Sequence, residues 1–216
     1  MTTLLIHAGE TGAQAPGPRT GGVPLVPPGF VWPTCRACGG ALLFLLHLPL
    51  GEGGGDGDRD EGGARGRGDV VSVFLCQNDP GMCDEWDATG GANRAYLFAA
   101  EGLAAPAVPA HGETRLGAVS ALRTEEVDAA GFPEALDAWA DDDAASLLVQ
   151  GQLGGEPAWI QGDETPHCPG CAERMAFTAQ LEEGYDFSTS ANFGGGGIGY
   201  VFTCARCRDA AFLWQR

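Results

Sequence analysis

The sequence predicts a mainly β fold, β-rich α+β in class, made of two related pseudo-twofold halves with a few short helices in the middle. Three observations predict it. Short runs of β-branched, aromatic and leucine residues recur between Gly/Pro-rich stretches, as strands do between turns. Residues of unlike chemistry recur at one fixed offset, as in a duplicated chain. All eight cysteines fall into two sets of four, one set in each half.

Along the chain, Thr3 to His7 alternates weakly and reads as an opening strand, and residues 8–22, rich in Gly, Pro and Thr, read as loop. Pro24 to Pro33 is proline-spaced and extended, anchored by Phe30 and Trp32. Ala41 to Leu50 is apolar throughout and reads as a buried strand. Residues 51–68 are almost entirely Gly, Asp, Glu and Arg, the composition of a flexible insertion. Asp69 to Cys76 is a strand that delivers Cys76, and Tyr96 to Ala99 is another. Residues 104–112 form a Pro/Ala connector, and 115–130 mix a strand with a short helix. Pro133 suits the first turn of a helix running to about Ala140. Asp143 to Gln150 reads as a second short helix, with Leu147, Leu148 and Trp139 facing the core. Pro157 to Ile160 opens the second repeat, Ala176 to Leu181 and Gly199 to Cys204 pair as a hairpin, and Ala211 to Gln215 ends the chain as a strand.

The second cysteine set, Cys168, Cys171, Cys204 and Cys207, is spaced C-x2-C-x32-C-x2-C; the first, Cys35, Cys38, Cys76 and Cys83, is C-x2-C-x37-C-x6-C. A C-x-x-C turn is short enough for both sulfurs to meet one ion, and two such turns complete the four corners that zinc prefers. The long spacers are tolerable because loop-closure entropy grows slowly with length. Disulfides would also use an even count, but they belong to oxidising compartments and small secreted domains. A redox C-x-x-C sits at a helix start in a βαβ unit, whereas these flank strand-like text. The expectation is therefore up to two structural Zn2+ ions in zinc-ribbon-like sites. Four thiolates leave no open position for catalysis.

The repeat is explicit. Gly21, Gly22, Pro24, Pro33, Cys35, Cys38, Phe44 and Leu48 recur 133 residues later as Gly154, Gly155, Pro157, Pro166, Cys168, Cys171, Phe177 and Leu181. His47 falls on Gln180. Val73, Phe74 and Cys76 recur at an offset of 128 as Val201, Phe202 and Cys204, and Trp86 and Trp214 close the two copies. The expected organisation is one domain over 1–216, with a first repeat at 21–86 carrying the insertion 51–68 and a second at 154–216. The run G-G-x-P, W-P-x-C-x-x-C-G-x-x-L-x-F, a late G-x-G-Y-x-F-x-C-x-x-C and a terminal W-Q resembles the YwqG-like family of bacterial proteins. It is carried by Gly21, Gly22, Pro24, Trp32, Pro33, Cys35, Cys38, Gly39, Leu42, Phe44, Gly197, Gly199, Tyr200, Phe202, Cys204, Cys207, Trp214 and Gln215. More distantly the chain is similar to the programmed cell death protein 2 family, which has comparable C-x-x-C pairs. The first resemblance implies a duplicated, mainly β fold with no settled activity. The second implies chaperone-like handling of a client protein. Many YwqG-like proteins lack the cysteines, so zinc rests on the residues here, and the stretched Cys76–Cys83 pair departs from the pattern.

The formal charge of −17, with twelve arginines and no lysine, argues against nucleic acid, which needs a basic face to displace counterions. It suits solubility or a basic protein partner. Without lysine there is no Walker A loop and no Schiff base. No apolar run reaches the ~20 residues of a membrane helix and no secretory start is present, which with reduced cysteines points to the cytoplasm. Gly194–Gly197 could cradle a phosphate, His167 could add a ligand, His47 lies in an apolar run, and Asp141–Asp143 could bind a cation, but each also has an ordinary structural reading. No catalytic constellation is present. The expected function is a zinc-stabilised protein-binding module, chaperone-like or of the immunity type, for a basic partner. The alternative is an enzyme acting on a small molecule in a groove between the halves.

Overall fold

A computed structural model describes residues 1–51 and 68–216. Its elements are β1 (Thr2–Glu10), β2 (Arg19–Thr20), β3 (Leu43–Leu50), β4 (Asp69–Leu75), β5 (Asn93–Ala99), β6 (Ser120–Val127), α1 (Phe132–Trp139), α2 (Asp143–Ser146), β7 (Val149–Leu153), β8 (Ala176–Leu181), β9 (Ile198–Cys204) and β10 (Asp209–Gln215). The fold is mainly β, as the sequence predicts. The ten strands close into a barrel in the order β1-β6-β2-β3-β4-β5-β10-β9-β8-β7, with β7 returning to β1. No helix among the described residues is long and apolar enough to cross a membrane.

Side chains alternate between the two faces of each strand. Val71, Val73 and Leu75 of β4, Val201 of β9 and Phe212 and Trp214 of β10 join Leu5, Leu45, Leu46, Ala95, Leu122, Ala179 and Leu181 in one cluster fed by strands all round the barrel, which is its interior. The opposite faces carry three further clusters. Phe44 and Phe74 pack outward with Leu42, Cys35, Cys76 and Cys83. Tyr200, Phe202 and Leu213 pack outward with Cys168 and Met175. Leu4 and Ile6 receive Phe132 and Ala135 of α1. The strands that fill the barrel with one face thus seat a cysteine group on the other.

The two cysteine-bearing hairpins share a register. In β3–β4 the partners run Phe44↔Phe74, a bulge, then Leu46↔Val73, His47↔Ser72 and Leu48↔Val71. In β8–β9 they run Phe177↔Phe202, a bulge, then Ala179↔Val201, Gln180↔Tyr200 and Leu181↔Gly199. Each bulge turns one extra residue and re-aims the strand beyond it.

Several sequence expectations are corrected. The 8–22 stretch contains the end of β1 and the strand β2, too short to carry a period. Residues 115–130 hold β6 and no helix. The second helix stops at Ser146, and Val149–Leu153 is strand β7, pairing with β1 and β8. Gly151 hid that strand: it lies at φ +138° beside a register shift against β1, and a Cβ there would stand 1.9 Å from the Gln180 carbonyl oxygen. Leu147 faces solvent, not core, while Leu148 and Trp139 do pack against the third outer cluster. Trp86 lies on a loop before β5 and is partly exposed, whereas Trp214 is inside β10. The insertion expected at 51–68 lies outside the described residues apart from Gly51 and Gly68.

Candidate metal centres

Each C-x-x-C turn is built the same way. Thr34 bridges to Ala41, the Cys35 N–H donates to the Gly40 carbonyl (2.8 Å), and the Gly39 N–H donates back to the Cys35 carbonyl (2.9 Å). In the second turn His167 bridges to Arg174, Cys168 N–H donates to Glu173 O (2.8 Å) and Ala172 N–H to Cys168 O (2.8 Å). The turn requires a left-handed residue after the second cysteine, supplied by Gly39 at φ +73° and by Ala172 at φ +59°. For alanine that conformation costs about 1 kcal/mol or more, so the second turn is held against local preference.

The remaining sulfurs arrive from the sheet and from a loop. Cys76 follows β4, its N–H bonded to Ala92 O (2.8 Å). Cys204 ends β9, and Cys207 lies in the turn to β10. The six-residue spacer before Cys83 is accommodated by groups that sequence reasoning missed. Glu85 is buried, and its carboxylate accepts the N–H groups of Gly81 and Cys83. Asn78 donates to Ala41 O (3.0 Å) and to Cys76 Sγ (3.5 Å) and accepts from Glu113 N–H (3.0 Å). An acid two residues past a loop cysteine was the available signal.

The eight cysteines form no disulfide, and in each set all four sulfurs lie within 4.8 Å of one another. Cys38 Sγ and Cys76 Sγ are 3.7 Å apart, as are Cys171 Sγ and Cys204 Sγ. Zinc–sulfur bonds of about 2.3 Å at tetrahedral corners imply an edge of about 3.8 Å. The stretched Cys76–Cys83 pair therefore does complete a group with Cys35 and Cys38. His167 is outside the second group. Both donor sets are compatible with a metal ion. When bound, the ion supplies positive charge and a cross-link; the chain supplies eight sulfurs, turn amides, Asn78 and Glu85.

Crowding four thiols has an electrostatic cost. In the first group the Gly40 amide and neighbouring thiols hold Cys38 below its usual value, while burial pushes Cys76 and Cys83 up. In the second, burial pushes Cys168 up, but the Cys171 and Gly170 amides and nearby thiols outweigh it and bring it to about 7. Donating its S–H to the Cys171 and Cys168 sulfurs then raises Cys207 to about 12. A thiolate formed first makes its neighbours harder to ionise unless a cation balances them. The groups differ in exposure. Cys35, Cys76 and Cys83 are buried and Cys38 exposed, whereas of the second set only Cys168 is buried.

The other candidates resolve structurally. The glycine run 194–197 does converge amides, but on the chain's own Glu183 carboxylate, which accepts from Phe193, Gly195 and Gly196 N–H at 2.8–2.9 Å. Asp142 caps α2, accepting from Ala145 N–H (2.8 Å). His47 is buried beside Arg19, and burial with that charge lowers it to about 4. Arg19 itself is wholly buried, donating to the carbonyls of Ala15 (2.8 Å), Gly21 (2.5 Å) and Val23 (2.6 Å) with its guanidinium over Phe44. A cleft of about 650 Å3 is lined by Glu85, Trp86, Gln161, Glu164, Trp214 and Arg216, among others. Its carboxylates are engaged, Glu85 as above and Glu164 by Gln215 Nε2 (2.9 Å).

No protein-family model matches the chain. A stretch of 65 residues is 40% identical to the uncharacterized protein YpfL of Salmonella typhimurium, taking in 30% of this chain. The match spans 15% of that protein's length, so it carries a local sequence likeness and no activity.

Proposed function

We propose that the chain is a zinc-stabilised protein-binding module, with one structural zinc in each cysteine group and a basic protein as its partner. The observation that carries the metal is the convergence of four sulfurs, twice, with no place left for a substrate-activating ligand. The binding role rests on the formal charge of −17 and on four-thiolate sites that leave no open position for chemistry; handling a client chaperone-fashion or neutralising a toxin are the two forms it would take. Two zinc ions per chain in the native protein, with a partner retained by the metal-loaded form and released on stripping, are the expected results. Absence of metal would overturn the reading.

The same reading holds that the barrel is an internal duplication with pseudo-twofold symmetry, its cysteine sites zinc-ribbon-like. Its support lies in the pairing. Arg19↔His47 and Gln152↔Gln180 correspond at an offset of 133, as do the Thr34↔Ala41 and His167↔Arg174 bridges. Arg19↔Ala121 corresponds to Leu4↔Gln152, which relates β1 to β6 at an offset of 117. At that offset the β1–β6 ladder maps onto itself, His7↔Leu122 falling on Leu5↔Thr124. The units are then β1–β5 and β6–β10, with β1 and β6 each completing the other unit's sheet. This widens the repeats from 21–86 and 154–216, and it sets Trp214 opposite Leu97, not Trp86.

The cleft between the halves favours a second reading, an enzyme or receptor for a small molecule. Its engaged carboxylates argue for binding over chemistry; turnover abolished by a substitution at Trp86 would reverse the order of the two readings.

A further inference from the structure

We propose that the groove between α1–α2 and the β8–β9 loop, with Phe187 at the tip of that loop, docks a protein segment in which an apolar residue is flanked by lysine or arginine. This deepens the protein-binding reading and rests on it. The groove holds about 420 Å3 and is walled by Phe132, Leu136, Leu147 and Val149, with Glu182 at its side. Leu147 is 58% exposed and Phe187 100% exposed. An aromatic wholly in water has no folding role, and large aromatics are the usual anchors of interfaces.

The loop that carries Phe187 is fixed beforehand. At its far end Ala191 and Phe193 sit in the barrel interior. Its middle is tied by Ala118 N–H to Ser188 O (2.7 Å) and Ala191 N–H to Glu183 O (2.9 Å). Asp186 Oδ1 accepts from Ser188 N–H (2.9 Å) and Oγ (2.8 Å) and from Thr189 N–H (3.1 Å). Tyr185 stacks on His7 at 4.5 Å, and the His7 N–H bonds to Leu148 O, which joins the loop to the α2 side of the groove. A loop ordered in advance loses little entropy when it binds.

Charge selects the partner. Residues 132–150 and 182–197, which frame the groove, contain Glu134, Asp137, Asp141, Asp142, Asp143, Glu182, Glu183 and Asp186 and no arginine, lysine or histidine. Arg216 touches this loop at the Gly194 carbonyl. Burial, with Glu183 nearby, already holds the Glu182 carboxyl up at about 7, and no ion pair holds it among the described residues, so a cation delivered into the groove meets a carboxyl it can pair with.

The test uses the full metal-loaded chain and three synthetic peptides of equal length: a leucine-striped helix with lysine on its polar face, the same helix with glutamate, and a lysine peptide without apolar residues. The lysine–leucine helix should bind at least about tenfold more tightly than either other peptide, the size expected of an anchor residue. F187A and L147S should each weaken it by about tenfold, with V31S, an exposed apolar residue elsewhere, leaving it unchanged. Metal content and melting temperature of each variant separate loss of the surface from loss of the fold. Equal binding of the glutamate helix, or equal effects of F187A and V31S, overturns the proposal. A protein partner held equally by wild type and F187A/L147S overturns this surface while the protein-binding reading stands.

Discussion

Zinc dependence of stability, compared between wild type and a single-cysteine variant, tests both metal groups at once. Cys76 is wholly buried and Cys204 half-exposed, but each is one of four sulfurs that meet within 4.8 Å, so either serine substitution disables one group and spares the other. A ligand that binds only the folded chain stabilises it by about 1.4 kcal/mol for every tenfold rise in free ligand above Kd. Two sites give about 2.7 kcal/mol, and in a chain of this size each kcal/mol is worth about 2–4 °C. Wild type should therefore gain about 5–11 °C in melting temperature per decade of buffered free zinc, and C76S or C204S about half of that. The assay is a thermal melt in zinc–chelator buffers, with metal content read by mass spectrometry. A melting temperature indifferent to zinc refutes the metal assignment. A slope unchanged in C76S refutes the claim that Cys35, Cys38, Cys76 and Cys83 act as one unit.

Other consequences follow from single residues. E85Q leaves one acceptor where Gly81 and Cys83 now share a carboxylate; a chelator should strip the first site about tenfold faster, the usual scale for a supporting group, with the second site unaffected. G151A places a Cβ 1.9 Å from the Gln180 carbonyl oxygen at φ +138°, and should cost about 3 kcal/mol or more in denaturant unfolding. Two partly or wholly buried groups pull stability in opposite directions with pH. Glu182 is raised from 4.5 to about 7, so its contribution is full below the lower value and lost as pH rises through the upper. His47 is lowered from 6.5 to about 4, so its contribution is present above 6.5 and lost as pH falls through 4. The stability difference between E182Q and wild type should climb with pH across 4.5–7, and that between H47Q and wild type should climb as pH falls across 6.5–4, each by at most about 3 kcal/mol and less for half-buried Glu182. Metal loss in acid is common to both chains and cancels in the difference.

What the sequence determined by itself was local or carried by composition. The strands Ala176–Leu181 and Asp69–Leu75 were legible because short runs of β-branched, aromatic and leucine residues lie between turn residues. The cysteine groups were legible because a C-x-x-C turn brings two sulfurs together whatever surrounds it. Acidity was legible because charge needs no fold. Tertiary structure decided the rest. β2 and β7 exist because neighbours supply their hydrogen bonds, and Gly151 lies in a strand because Gln180 leaves no room for a side chain. The glycine run is filled by Glu183, eleven residues before its first member, and the stretched knuckle is held by Glu85 and Asn78, groups with no spacing rule. Closure of the barrel, with β1 between β6 and β7, joins residues more than a hundred positions apart. Pairing at that distance depends on which surfaces remain to be buried once every hairpin has formed, a property of the assembled chain and of no segment in it.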